Sequence, residues 1–169
     1  MIIFETELLK VRRYSMEDLD RFYRLNGDEE IMRYIRPAKN LEESREFLQK
    51  ILADYDSLPG LGRWALLLKK DHSFLGSFAI IPVQESPNIQ LGYALLQENW
   101  GKGFASESVK AGISYSFEKL GLSSIAAITE SPNTASQKVL LRNGFVFEKS
   151  FRENEKEMNF YRFVNPAKI

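Results

Sequence analysis

Leu91-Gly92-Tyr93-Ala94-Leu95 reads as a strand, Asn99-Trp100-Gly101-Lys102-Gly103 as a turn, and Phe104-Ala105-Ser106 as the start of a helix. No other stretch limits the architecture so strongly. Ala105, Val109, Ile113 and Phe117 recur every four residues, Leu120 extends the stripe, and Gly121 is placed as a C-cap. A helix start carries unpaired N–H groups and the positive end of the helix dipole. Glycines at 101 and 103 let the main chain approach a ligand without a Cβ in the way. Together these describe an anion site, with phosphate the expected anion and Lys102 adding charge at its rim.

Two common phosphate patterns do not fit. The P-loop spacing G-x-x-x-x-G-K-[ST] is absent, and the dinucleotide pattern G-x-G-x-x-G fails at its third glycine, where Ser106 stands. The strands that precede the turn also disagree with a doubly wound beginning.

Residues 7–12 partly alternate and form the first expected strand. Ser15 and Asp18 make a capping-box-like start to a helix carrying Met16, Leu19, Phe22 and Tyr23. A short helical piece over 30–34 stops before Pro37. Asn40 and Glu43 cap a helix with Leu41, Ser44, Leu48, Ile51 and Tyr55 on one stripe. Residues 64–68 and 74–81 form a hairpin about the polar turn 69–73, and 88–95 is the fourth strand. After the long helix come a strand at 125–128, a helix opened by Asn133 and ended by Gly144, and strands at 145–147 and 158–164 with a charged hairpin around 152–157. This order predicts an α+β fold, a mixed sheet with helices on its faces. The length of 169 residues fits one domain spanning 1–169.

Lys+Arg and Asp+Glu are both 23, so the net charge is zero and no general nucleic-acid binder is expected. There is no cysteine, which removes disulfides, thiolate metal sites and a cysteine nucleophile. The one histidine, His72, sits in a charged hairpin turn and reads as a surface residue, which argues against a His-based zinc site and a Ser-His triad and leaves only an all-carboxylate Mg or Ca site open; no metal is expected. No apolar run is long enough to span a membrane. Met1-Ile2-Ile3-Phe4-Glu5 lacks the basic start of a signal peptide, and a cytoplasmic location is expected.

A second motif follows the first: Asn133-Thr134-Ala135-Ser136, then Leu140-Leu141-Arg142-Asn143-Gly144-Phe145. With Trp100-Gly101-Lys102-Gly103-Phe104-Ala105-Ser106-Glu107, it resembles the GCN5-related N-acetyltransferases, and within them the RimJ/RimL-like branch. Thr6 to Arg12 and Ile31-Met32-Arg33-Tyr34-Ile35 are similar to that branch as well. The resemblance implies a single GNAT-like domain whose mostly antiparallel sheet splays between the fourth and fifth strands. It implies acetyl-CoA as cosubstrate, its pantetheine arm pairing with the main chain of Ala94, Leu95 and Leu96, with Gln97 just beyond. The pyrophosphate would lie on the N–H groups of Gly101, Lys102, Gly103, Phe104, Ala105 and Ser106. Asn133 would contact the pantetheine and Ser136 would sit near the sulfur; as plain helix-starting residues, both also read as caps. Trp100 reads as loop packing, Arg142 as a solvated helix position, Phe145 as core.

The implied reaction is N-acetylation of a primary amine by direct attack, the amine being a protein N-terminus or a small molecule. The alternative is a non-catalytic acyl-CoA-binding module. Many relatives carry a tyrosine acid where this chain has Leu140, which leaves Ser136 as the candidate acid. Gln90 stands where relatives often have Glu, and its amide cannot act as a base. Glu130, before the Asn133 turn, is a candidate base and Glu85 a weaker one, and the base is unassigned. The acceptor wall would come from 16–55, with Tyr34 and Phe22 as possible lining, and the protein would be a monomer or homodimer.

Overall fold

The computed structural model describes residues 1–169. Eight strands form one sheet in the order β1-β2-β3-β4-β5-β6-β8-β7. The strands are β1 (Ile2–Glu5), β2 (Leu9–Arg13), β3 (Gly62–Leu68), β4 (Phe74–Pro82), β5 (Ile89–Leu95), β6 (Ser124–Glu130), β7 (Val146–Glu153) and β8 (Lys156–Val164). The helices are α1 (Leu19–Asn26), α2 (Glu29–Met32), α3 (Leu41–Ser57), α4 (Phe104–Glu118) and α5 (Thr134–Arg142).

The first strand is a correction to the sequence reading, which weighed residues 1–5 only as a leader. Ile2–Glu5 pairs antiparallel with β2, and Phe4 packs edge-on against Phe78 at 5.7 Å. Four residues are too few to show a period, so only the tertiary contact reveals the strand. The expected fourth and fifth strands are therefore β5 and β6.

Capping follows the side chains. Asn40 Oδ1 accepts from Glu43 N–H and the Glu43 carboxylate accepts from Asn40 N–H, both at 2.8 Å. Asp18 accepts from Ser15 N–H, but the first turn there, Met16–Asp18, is a 3-10 turn before α1 begins. On α3, Ser44, Leu48, Ile51 and Tyr55 are buried as the stripe predicts, while Leu41 is exposed.

The stripe on α4 faces the core as expected: Val109 is fully buried, and Ala105, Ile113, Phe117 and Leu120 pack partly buried against the same core. Ser108, Gly112 and Ser116 are buried beside it. Both hydroxyls donate back to carbonyls of their own helix, Ser108 to Ala105 and Ser116 to Gly112, each at 2.8 Å. Small residues let the helix lie close to the sheet: a Cβ on Gly112 would come within 2.4 Å of Phe78 Cζ.

The sheet opens at its centre. β4 and β5 pair along their whole length, whereas β5 and β6 run parallel and meet only at Gln90 and Ala126. β6 then pairs with β8 from Ser124 to Glu130. Beyond Gln90 the two central strands diverge, and the rest of β5 has a neighbour on one side only.

Candidate active site

Strand alternation decides which main-chain groups face the opening. Leu96 N–H donates to Leu75 C=O at 2.9 Å, continuing the β4–β5 register. In an antiparallel pair, residues take turns bonding to a given neighbour. Gln90, Gly92 and Ala94 therefore turn their main chain to β4, and Leu91, Tyr93 and Leu95 turn theirs to the gap. The Leu95 carbonyl accordingly faces away from β4 and accepts the Trp100 indole N–H at 2.9 Å. Sequence reasoning named Ala94, Leu95 and Leu96, and of these only Leu95 faces the gap. Both main-chain groups of Leu96 are spent, since its carbonyl accepts from Asn99 N–H at 2.9 Å. Gln97 is turned outward, its amide donating to Asp28, the N-cap of α2. Alternation is visible in a sequence, but its phase depends on which neighbour a strand acquires.

The turn after β5 has the geometry of an anion cradle. Gly101 has φ +70° and Gly103, the N-cap of α4, has φ +84°. At both positions an added Cβ would meet nothing within 4 Å, so glycine here serves the backbone conformation and leaves the surface open. None of the N–H groups of Gly101, Lys102, Gly103, Phe104, Ala105 and Ser106 donates within the protein; the first bond of the helix is Glu107 N–H to Gly103 C=O. Trp100 is partly exposed and pins this turn to β5 through its indole.

The two motifs are tied together. Asn143 Nδ2 donates to Ser106 Oγ at 2.9 Å and to Val139 C=O at 2.8 Å, joining the end of α5 to the start of α4. Gly144 (φ +92°) turns the chain where a Cβ would strike Phe163 at 2.7 Å, and Phe145 then enters the core against the same ring. Arg142 is exposed.

A cavity of about 370 Å³ runs through the opening. It brings together Gln90, Tyr93 and Ala94 of β5, Thr129 of β6, and Asn133 and Ser136 at the start of α5. Asn133 Oδ1 accepts from Ser136 N–H at 3.3 Å, so Asn133 is an N-cap and its amide nitrogen remains available. Leu140 is buried in the cavity wall. Phe22, a core residue, and Tyr34 line the far end.

Two residues escaped the sequence reading. The Tyr93 hydroxyl donates to Ser136 Oγ at 3.3 Å. Burial raises the Tyr93 pKa, and the Ser136 hydrogen bond offsets only part of that, so the phenol stays protonated at neutrality. Thr129 Oγ1 is buried without a hydrogen-bond partner while lining the cavity. An unpaired buried hydroxyl costs about 1 to 3 kcal/mol, which makes it conspicuous. The tyrosine was in plain view within Gly92-Tyr93-Ala94, but nothing local says that its ring reaches α5.

Neither candidate base lines the cavity. Glu130 is buried in an ion pair with Lys156 at 3.1 Å, and Glu85 sits exposed in the β4–β5 turn. Glu153, at the end of β7, is the one carboxylate of the lining. His72 is exposed in the β3–β4 turn. No helix is long and apolar enough to cross a membrane.

A family model for the acetyltransferase (GNAT) domain matches residues 9–146. The chain is 34% identical to the uncharacterized N-acetyltransferase p20 of Bacillus licheniformis, covering 89% of this chain and 86% of that one. In structure it is similar to an acetyltransferase of the GNAT family from Bacillus anthracis, with TM-score 0.84 at 20% identity over 97% and 98% of the two chains. It is also similar to the ribosomal-protein alpha-N-acetyltransferase RimL in complex with coenzyme A, with TM-score 0.80 at 19% identity over 99% of each chain. At these identities the structural likenesses establish the fold.

Proposed function

Since the chain belongs to the acetyltransferase (GNAT) family, we propose that it carries out acetyl-CoA-dependent N-acetylation at the opening between β5 and β6, on a primary amine that attacks directly. One observation carries the assignment of the site: a row of N–H groups with no protein acceptor, Gly101 to Ser106, stands at the end of a strand that leaves its neighbour after a single residue pair.

The residues present fit coenzyme A. The N–H row and the open space at Gly101 and Gly103 suit a pyrophosphate at a helix N-terminus. The gap-facing main chain of Tyr93 and the gap-facing N–H of Leu95, whose carbonyl is held by Trp100, suit the pantetheine amides, as a strand added to a sheet edge. A Cβ on Gly92 would meet nothing within 4 Å, so the wall of the gap is flat there. The free amide nitrogen of Asn133 and the unpaired Thr129 hydroxyl are further donors on the opposite wall.

Bound acetyl-CoA supplies a thioester carbonyl carbon; the amine nitrogen bonds to it, the C–S bond breaks, and coenzyme A leaves as the thiol. The protein's part is to position groups and move protons. Gap-facing N–H groups of β5 face the carbonyl oxygen as charge develops on it. Ser136 gives its proton to the departing sulfur. Tyr93 makes that possible by donating to Ser136 Oγ, which leaves the serine proton free to point into the cavity. The proton lost by the amine goes to Glu153, directly or through water; Gln90 cannot take it. An α-amine, with an ordinary pKa near 8, reaches the neutral form more readily than a lysine-like amine at about 10.4.

We further propose a cytoplasmic enzyme of the RimJ/RimL-like kind, folded as one domain over residues 1–169, with no nucleic-acid partner. The zero net charge supports the last point. Nothing observed favours the non-catalytic module. The test is thiol release from acetyl-CoA across peptides and small amines. The chain has no cysteine, so every thiol that appears comes from the cosubstrate. Acceptor-dependent release supports the assignment, and coenzyme A binding without release from any acceptor contradicts it.

A further inference from the structure

The cavity has a second end that the transfer chemistry leaves unused. Arg36, from the loop after α2, and Arg63, from β3, both line it. Their guanidinium carbons lie 5.1 and 5.7 Å from the centre of the Phe47 ring, and Lys39 Nζ lies 5.3 Å from the same ring. None of the protein's ion pairs includes Arg36, Lys39 or Arg63. Asp54 attracts Arg63 from a distance, but its carboxylate is bound to Lys50 at 3.0 Å.

The corner is also built to hold its shape. Arg36 Nη1 donates to Asn26 Oδ1 at 2.9 Å, and Asn26 is itself fixed by donating to Phe22 C=O and accepting Lys39 N–H on its own carbonyl. The rest of the Arg36 fork is unused, and the Arg63 side chain donates to no protein acceptor. Burial first, and then the charge of Arg63, lowers the Arg36 pKa to about 10. Three cations share one ring, and no carboxylate is paired with any of them.

We infer that this corner binds a carboxylate carried by the acceptor, so that the protein acetylates amines bearing a carboxylate and disfavours polycations such as polyamines. The inference rests on the acyl-transfer reading above and names the substrate class of that site. A planar guanidinium fork matches a carboxylate through paired hydrogen bonds, and an arginine pair selects for it where a lysine would act only as a point charge. Phe22, Tyr34 and Phe47 supply an apolar wall for the carbon skeleton between carboxylate and amine.

The test compares matched acceptors by thiol release. One arm pairs each free L-amino acid with its carboxamide. A second pairs peptides carrying Asp or Glu behind the N-terminal residue with their Asn or Gln counterparts. Spermidine is the polycation. In whichever arm is active, the carboxylate acceptor is expected to exceed its neutral partner at least about tenfold in kcat/KM. The active arm identifies the source of the carboxylate. Arg36→Gln and Arg63→Gln each raise KM for that acceptor about tenfold, change kcat far less, and erase the preference over the carboxamide, while Arg63→Lys restores only part of it. Coenzyme A binds both Gln variants with the parent isotherm, which also shows that they fold. Equal turnover of the carboxamides, or faster turnover of spermidine, overturns the inference and leaves acyl transfer standing. Weakened coenzyme A binding in the variants assigns the corner to the cosubstrate and overturns it too. No release with any acceptor overturns acyl transfer itself.

Discussion

Tyr93 and Ser136 stand far apart in sequence and meet across the opening, one on a strand and one on a helix. In the proposed mechanism Ser136 loses a proton, and Tyr93 keeps one. Ser136→Ala is expected to lower kcat by about 100-fold with little change in coenzyme A affinity. Tyr93→Phe keeps the ring and loses the hydrogen bond, and a smaller fall of about tenfold is expected. Because both act on one proton, the double variant should be little worse than Ser136→Ala alone. Steady-state kinetics on the four proteins checks this, and additive losses would separate the two residues. Ser136 was legible in sequence because it falls within a motif of fixed spacing. Tyr93 was not, because its role depends on where the α5 turn comes to rest.

α4 brings its N-terminus to the site and its small-residue face to the sheet. Gly112 shows which consideration rules that face. Alanine in place of a mid-helix glycine gains about 1 kcal/mol of helix propensity. Here the added methyl would lie 2.4 Å from Phe78 Cζ, and Phe78 is fully buried with no room to swing. Overpacking of this kind costs about 1 to 3 kcal/mol, so set against the propensity gain Gly112→Ala should destabilise the protein by up to about 2 kcal/mol rather than stabilise it. Chemical denaturation measures it, and a stabilised variant would contradict the packing account. The every-four stripe of α4 announced the helix and its core-facing side correctly, but hydrophobic periodicity does not register Ser108 and Ser116, which are buried beside it because their hydroxyls bond within the helix. β1 was illegible for a related reason: a four-residue edge strand is fixed by Phe4 against Phe78 and Tyr115, contacts that no local pattern encodes. The hairpin of β3 and β4 and the caps at Asn40 and Asn133 were legible because their signals are local.

Across the whole molecule, the helical segment of α1 to α3, which is proposed to wall the acceptor site, is joined to the sheet by a buried carboxylate. Asp18 receives both Arg12 Nη groups at 2.8 Å and the Ser15 N–H at 2.9 Å. Burial by itself would raise the Asp18 pKa, but the Arg12 hydrogen bonds, the Ser15 N–H and the charges of Arg12 and Arg21 outweigh it and hold it below the ordinary carboxylate value. A carboxylate depressed on folding stabilises the native state above its unfolded pKa of about 3.9, and the stabilisation is lost as pH falls through the lower folded value. Asp18→Asn should therefore cost about 1 to 3 kcal/mol at neutral pH and flatten the fall in stability below about pH 4. Urea titrations of parent and variant from neutral to acid pH check this, and parallel curves would refute it. At this scale the sequence carried the strand–turn–helix order, the anion cradle and the second motif. It did not carry the arginines at Phe47, which come from a loop and a strand brought together only by the fold.

Calorimetric titration of the purified protein with coenzyme A tests the parted central strands and the N–H row beside them at once. The expected result is a saturable heat with one site per chain. A flat titration, with no heat at any concentration at which the protein stays folded, would contradict it.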